Sequence, residues 1–238
     1  MKNLKGKKAL ITGSSRGIGK QIAIGLATLG CDIILHARTL ENLKEIEEIL
    51  KKYDIKVYKI ACELSDPNSV QLMLEELDMK HKNIDIVYNN AAISCENQLL
   101  FNTQRKVWDE IFEVNLFALI KICEHFLPLM IENKYGRIIN FSSGISNQPE
   151  MAPYAVSKAA VNKYTEDMAI RLKGTNVLMN LINPGWVQTD MGGANASSSI
   201  ESVLPGVIVP ALLDDNGECG KTFNIWEYKN LELPKLVV

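Results

Sequence analysis

The sequence predicts an α/β fold, a doubly wound parallel sheet with helices covering both of its faces. Short apolar runs alternate with longer helical segments along all 238 residues. A glycine cluster stands between the first run and the first helix, where such sheets bind ligands at a strand end. No repeat, low-complexity tract or linker divides the chain, so 1–238 reads as a single domain.

The elements follow in order. Residues 8–12 read as a buried strand, and 18–29 carry apolar residues at helical spacing with Gly30 as the stop. A second strand covers 32–37. Thr39 is placed to cap a helix over 40–52, in which Leu43, Ile46, Ile49 and Leu50 make one stripe. A third strand over 55–61 leads to a helix that begins near Pro67, a favoured first-turn residue. Residues 84–88, 137–141 and 176–182 are further strands, with long helices over about 115–132 and 152–173. A last helix near 200–213 precedes a short strand at about 221–225.

Composition excludes several classes of function. With 47% apolar and 23% charged residues, the chain is not one of the disordered kind. A net charge of -2 gives no reason to expect nucleic acid or an anionic membrane surface. No run approaches the roughly 18 uninterrupted apolar residues of a bilayer span. The basic start is followed only by Ala9-Leu-Ile11 before Thr12, too short for a secretory core. Cysteines 31, 62, 95, 123 and 219 are odd in number and form no Cys-x-x-Cys pair, which suits reduced thiols in the cytoplasm. His36, His81 and His125 share no ligand spacing with them, so no metal site is expected.

Gly13, Gly17 and Gly19 lie where a backbone must turn tightly and approach a pyrophosphate, and the helix that follows offers unpaired N–H groups to the anion. The spacing is Gly-x-x-x-Gly-x-Gly, which departs from the generic Gly-x-Gly-x-x-Gly fingerprint. Cofactor choice falls at the end of the second strand, in His36-Ala-Arg-Thr39. An acid there would hold ribose hydroxyls; here Ala37 takes its place and Arg38 follows. Arg16 adds a second guanidinium able to reach a 2′-phosphate. NADP(H) is therefore expected in preference to NAD(H).

Tyr154 and Lys158 are four residues apart on a helix and so share a face. An ammonium beside a phenol stabilises the phenolate, which predicts a lowered tyrosine pKa.

Thr12-Gly-Ser-Ser-Arg-Gly-Ile-Gly19, Asn89-Asn-Ala-Ala92, Asn115, Gly136-Arg-Ile-Ile-Asn-Phe-Ser-Ser143, Tyr154-Ala-Val-Ser-Lys158 and Asn183-Pro-Gly-Trp-Val-Gln-Thr189 occur in that order. Together they resemble the classical short-chain dehydrogenase/reductase family over almost the whole chain, and Pro184-Gly-Trp-Val-Gln-Thr-Asp-Met191 is similar to its carbonyl-reductase-like members. The resemblance implies a Rossmann-type sheet of about seven strands, a cofactor half over about 1–115 and a catalytic half over about 115–238. It implies Ser143, Tyr154, Lys158 and Asn115 as catalytic residues. Tyr154 would exchange a proton with the carbonyl oxygen, Ser143 would donate a hydrogen bond to it, and Asn115 would position a water that feeds protons through Lys158. Cofactor contacts would come from Gly13, Ser15, Arg16, Gly17, Ile18 and Gly19, then Arg38, Glu63, Leu64, Asn90 and Ala91. Tyr154, Lys158, Pro184, Gly185, Val187 and Thr189 would complete them.

The pattern departs from the family's in three places. Ala92 replaces a glycine, which is tolerable where φ stays negative. Glu63 stands for an aspartate facing adenine. The interval from Ser143 to Tyr154 is short, which leaves Ser142 as the alternative serine. The resemblance further implies a small carbonyl or alcohol substrate (a ketone, an aldehyde or a β-ketoacyl thioester) and a homodimer or homotetramer formed through helices 115–132 and 152–173. Substrate choice would lie in loops 94–102, 146–151 and 190–202, the last a mobile candidate lid. Trp186, Met191, Met151 and Ile93 are candidate walls of an apolar pocket. The alternative is an NADP(H)-binding regulatory or signalling protein without turnover.

Overall fold

The computed structural model describes residues 3–81, 83–95 and 102–232. Its strands are β1 (Lys8–Ile11), β2 (Asp32–Ala37), β3 (Val57–Ala61), β4 (Ile86–Asn89), β5 (Gly136–Phe141), β6 (Val177–Asn183) and β7 (Thr222–Asn224). All pair in parallel, in the order β3-β2-β1-β4-β5-β6-β7. The chain runs outward from β1 to β3 and then returns to place β4 on the other side of β1. That reversal opens a crevice at the carboxyl ends of β1 and β4, where ligands bind in such sheets.

Successive strand residues face opposite sides, and each face builds its own core. Ala9, Ile11, Ile33, Leu35, Ile86 and Tyr88 pack with Ile22 and Leu26 of α1 (Gly17–Ala27), Ile46 and Leu50 of α2 (Lys44–Leu50), and Val207 and Ile208. Leu10, Ile34, Val87 and Ile138 face the other way. They meet Leu74 and Leu77 of α3 (Pro67–Lys80), Ile122 and Phe126 of α5 (Ala118–Glu132), and Val161 of α6 (Ala152–Arg171). A side chain of this size contributes roughly 1.5–3 kcal/mol when fully buried.

The helix after β3 begins at Pro67, as expected. Asp66 caps it by accepting the Asn68 N–H at 3.0 Å. Elsewhere the helices depart from the sequence reading. The span 40–52 divides into a 3-10 turn, Glu41–Leu43, and the shorter α2, without a cap from Thr39. A further helix, α4 (Arg105–Phe112), precedes the anticipated start at 115 and joins α5 through a π turn, Glu113–Phe117. By length and composition this 28-residue run passes as a bilayer span. Its apolar side, with Ile111, Val114, Leu119, Ile122, Phe126 and Met130, is buried in the protein core.

The expected helix near 200–213 is a pair of 3-10 segments, Glu201–Val203 and Gly206–Leu212. Pro205 and Pro210 explain the difference, because each lacks the N–H that an α-helical ladder needs and its ring clashes with the preceding turn.

Candidate active site

A cavity of about 1100 Å³ opens at the carboxyl ends of β1 to β6. Of the residues expected to act, it brings together Gly13, Ser15, Arg16, Gly17 and Ile18 after β1, Arg38 after β2, and Glu63 and Leu64 after β3. Asn90 and Ala91 follow from β4, Tyr154 and Lys158 from α6, and Pro184 and Thr189 from β6. Gly19, Asn115, Ser143, Gly185 and Val187 are not among its lining residues.

The glycine loop is built for close approach. Gly13 sits at φ +65°, a conformation that L side chains rarely adopt. A Cβ on Gly19 would lie 2.2 Å from the Gly13 carbonyl oxygen, so Gly19 lets α1 start directly against the loop. No side chain caps α1, and no acid occupies its first turn, which leaves its N-terminal N–H groups and dipole available to an anion. The Thr12 hydroxyl donates to the Tyr88 carbonyl at 3.2 Å and accepts the N–H groups of Asn90 and Ala91, each at 3.0 Å. The Asn90 amide donates to the carbonyls of Thr12 at 2.8 Å and Gly13 at 3.1 Å. These features fit the pyrophosphate of a dinucleotide.

Arg38 is exposed and borders the cavity. Arg16 differs from expectation: its guanidinium pairs with Asp190 at 2.7 Å, tying the glycine loop to the loop after β6. The Glu63 carboxylate accepts the Ser65 N–H at 3.1 Å, and the Glu63 N–H donates to Ser69 at 3.1 Å. Ala92 is absent from the positive-φ positions among the described residues, which accounts for the loss of the glycine there.

At the other end, Pro153 lies in the first turn of α6, followed at once by Tyr154. Burial pushes the Tyr154 phenol above its usual pKa, and the neighbouring Ser143 hydroxyl pulls it partway back. This overturns the expected lowering by Lys158. The Lys158 ammonium lies 5.8 Å from the ring centroid and donates to the Phe141 carbonyl at 2.9 Å. Burial brings its own pKa down to about 8.

Of the two serines, Ser143 is the one whose hydroxyl lies near enough to the Tyr154 phenol to lower its pKa, and it accepts the Ile145 N–H at 3.2 Å. Ser142 is buried and borders the cavity, and its N–H extends the β5–β6 ladder to the Ile182 carbonyl. Asn115 sits in the π turn, buried. Its amide donates to Ile93 O at 2.9 Å and Ser157 Oγ at 3.1 Å, and its oxygen accepts the Ile93 N–H at 2.8 Å. It thus fastens a wall of the cavity.

Met151, Met191 and Ile93 are wall residues, as expected, with Ser94, Cys95, Glu110, Val114, Gln188 and Ile200 beside them. Residues 96–101 of the loop 94–102 lie outside the described residues. Trp186 is not a wall residue; it is 57% exposed, and its indole N–H donates to Gly192 O at 2.8 Å. The loop 190–202 is tied by backbone bonds from Gln188 to Ser198 and from Ser198 to Trp186, with Ala196 buried beneath. Gly185 lies at φ +68° facing the Trp226 ring, and Val187 is buried and bridges to Ser198.

The sequence reading missed His36. Its ring is buried at the cavity wall, and Nδ1 accepts the Gly13 N–H at 3.1 Å. A polar ring ending a buried strand, two residues before Arg38, was the available signal.

A family model for short chain dehydrogenases matches residues 7–199. The chain is 35% identical over 191 residues to a 3-oxoacyl-[acyl-carrier-protein] reductase of Aquifex aeolicus, covering 79% of this chain and 77% of that one. A metagenomic short-chain oxidoreductase solved in complex with NADP superposes with a TM-score of 0.82 at 28% identity, covering 93% of this chain and 98% of its own. A 3-oxoacyl (acyl-carrier-protein) reductase from Agrobacterium tumefaciens, solved with NADP bound, gives a TM-score of 0.81 at 26% identity, with 93% of both chains covered.

Proposed function

The chain belongs to the short-chain dehydrogenase family, and we propose that it is an NADP(H)-dependent oxidoreductase interconverting a ketone, an aldehyde or a β-ketoacyl thioester with its alcohol. One observation carries this reading: a partly buried phenol next to the Ser143 hydroxyl and the buried Lys158 ammonium shares a cavity with a glycine-loop anion cradle and Arg38. The NADP held by two similar solved proteins supports the choice of cofactor.

The glycine loop from Gly13 to Gly19, with the α1 N-terminus, would hold the pyrophosphate. Arg38 would take the 2′-phosphate, with Arg16 joining it on leaving Asp190. Glu63, Leu64, Asn90 and Ala91 would flank the adenosine, and Pro184, Gly185, Val187 and Thr189 the other end. Bound there, the cofactor would supply or accept the hydride.

The protein's own residues manage the proton. Because burial raises its pKa, Tyr154 stays protonated across neutral pH, the state that can give its proton to a carbonyl oxygen during reduction. Ser143, beside the phenol, donates to the same substrate oxygen. Lys158 keeps a desolvated cation near the ring, where it favours the phenolate left behind. Asn115 acts by position, since its bonds to Ile93 and Ser157 fix the wall beside Tyr154.

The whole chain serves as one unit, with a cofactor half to about 115 and a catalytic half beyond. A homodimer or homotetramer through α5 and α6 is supported by exposed Phe117, Leu129, Val156 and Ile170 on or beside these helices. A cytoplasmic location suits five free cysteines.

The test is Tyr154→Phe against a panel of ketones, aldehydes and acetoacetyl thioesters, followed by NADPH absorbance. The variant should lose about 10²–10⁴ in turnover while NADPH binding persists. Near-normal turnover would refute the assignment.

A further inference from the structure

The glycine loop is held by more than its glycines. The peptide joining Thr12 to Gly13 offers its carbonyl to the Asn90 amide at 2.8 Å and its N–H to His36 Nδ1 at 3.1 Å. The next peptide, Gly13 to Ser14, repeats the arrangement. Its carbonyl accepts from the same Asn90 amide at 3.1 Å, and its N–H donates to the His36 carbonyl at 2.9 Å. Two consecutive peptides are therefore clamped between Asn90, just past β4, on their carbonyl side and β2 on their N–H side. Ser14 closes the β2 side: its hydroxyl accepts the His36 N–H at 2.9 Å and donates to the His36 carbonyl at 3.2 Å.

Of these anchors on β2, all but one use the His36 backbone, which any residue could supply. The imidazole provides the exception, the acceptor for Gly13 N–H. An accepting nitrogen carries no proton, so the ring is neutral with its proton on Nε2. At 2% exposure the ring leaves little room for water to replace it.

We propose that the His36 side chain is a positioning residue for the dinucleotide, holding the Thr12–Gly13 peptide in the orientation that shapes the pyrophosphate cradle. The inference rests on the NADP(H) reading of the cavity. Without the acceptor, the Gly13 N–H loses its protein partner and the loop samples other orientations. Re-ordering the loop then falls on the binding step, while Tyr154, Ser143 and Lys158 keep their geometry. The expected signature is weaker cofactor binding with turnover at saturation retained.

The test compares wild type with His36→Asn, whose amide oxygen replaces Nδ1 as acceptor, and with His36→Leu and His36→Val, which remove it. NADPH dissociation constants come from the enhancement of cofactor fluorescence, and KM for NADPH and kcat from steady-state rates. Thermal midpoints of the cofactor-free proteins show which variants fold. Losing one hydrogen bond should raise both Kd and KM roughly tenfold in whichever apolar variant folds, with kcat within about twofold. His36→Asn should stay within about threefold of wild type on all three. Equal weakening in the Asn and apolar variants would overturn the inference, because the ring's packing rather than its acceptor would then matter. So would wild-type affinity in an apolar variant. Wild type without measurable NADPH affinity would remove the dinucleotide reading itself, and this inference with it.

Discussion

Lys158 should weaken the fold it serves. The residue is 4% exposed, and its ammonium has one acceptor among the described residues, the Phe141 carbonyl. Burial lowers its pKa from 10.5 to about 8. At about 1.4 kcal/mol per tenfold, that drop means the protonated lysine costs the folded state about 3 kcal/mol at pH 7. The sign follows from proton counts. Between pH 8 and 10.5 the unfolded chain still holds a proton that the folded protein has released, so stability rises with pH through that window.

Lys158→Met keeps a similar length and removes the ion. It also removes the donor to Phe141 O, a loss of about 1 kcal/mol. The net result at pH 7 is a gain of about 2 kcal/mol, or a thermal midpoint higher by about 4–8 °C for a chain of this size. At pH 10.5 the lysine is neutral in the folded protein and about half protonated in the unfolded chain, so most of the ionic cost is gone and the variant should be the less stable protein by roughly 0.5–1 kcal/mol. The assay is urea denaturation of both cofactor-free proteins at several pH values from 7 to 10.5, with NADPH turnover measured alongside. Turnover should collapse while stability at pH 7 increases, the trade-off expected when a site holds a group that the fold would otherwise exclude. A variant less stable than wild type at pH 7, by a margin that stays constant to pH 10.5, would refute the reasoning.

Cofactor choice yields the remaining predictions. Arg38→Asp should weaken NADPH binding about 10–100-fold, the worth of a charge-assisted contact, and shift preference toward NADH; unchanged affinities for both would remove Arg38 from the site. Asp190→Asn should release Arg16 from its 2.7 Å pair. Because both side chains are exposed, the pair is worth about 0.2–1 kcal/mol, so NADPH affinity should improve by no more than about fivefold, and added salt should erase the gain. An improvement that persists in high salt would point to a cause other than this ion pair.

Much of the fold was legible because local pattern and tertiary need agree in the strands. Buried parallel strands leave short apolar runs, and each one read from the sequence appears within about two residues of its observed ends. Helices fared worse where periodicity met proline or exposure. Pro205 and Pro210 turned an apparent helix into 3-10 segments. In α4, only Ile111 is fully buried, so its apolar signal was faint. In the candidate site, the glycines, Asn90, Arg38, Tyr154 and Lys158 were legible because their spacing is local and their chemistry specific. Arg16's engagement with Asp190 was not, since it joins loops far apart in sequence.

The sequence by itself determined the strand–helix alternation, the glycine loop at the end of β1 and the helix that presents Tyr154 beside Lys158. Each depends on spacing within a few residues and on side-chain chemistry that needs no partner from afar. Only the tertiary structure decided the electrostatics and the orientation of these parts. It raised the Tyr154 pKa where a neighbouring lysine alone predicts lowering, because desolvation, the largest cause of the shift, depends on everything packed around a group. It also placed His36 against Gly13, a contact set by the register of β2 beside β1, which no local pattern encodes.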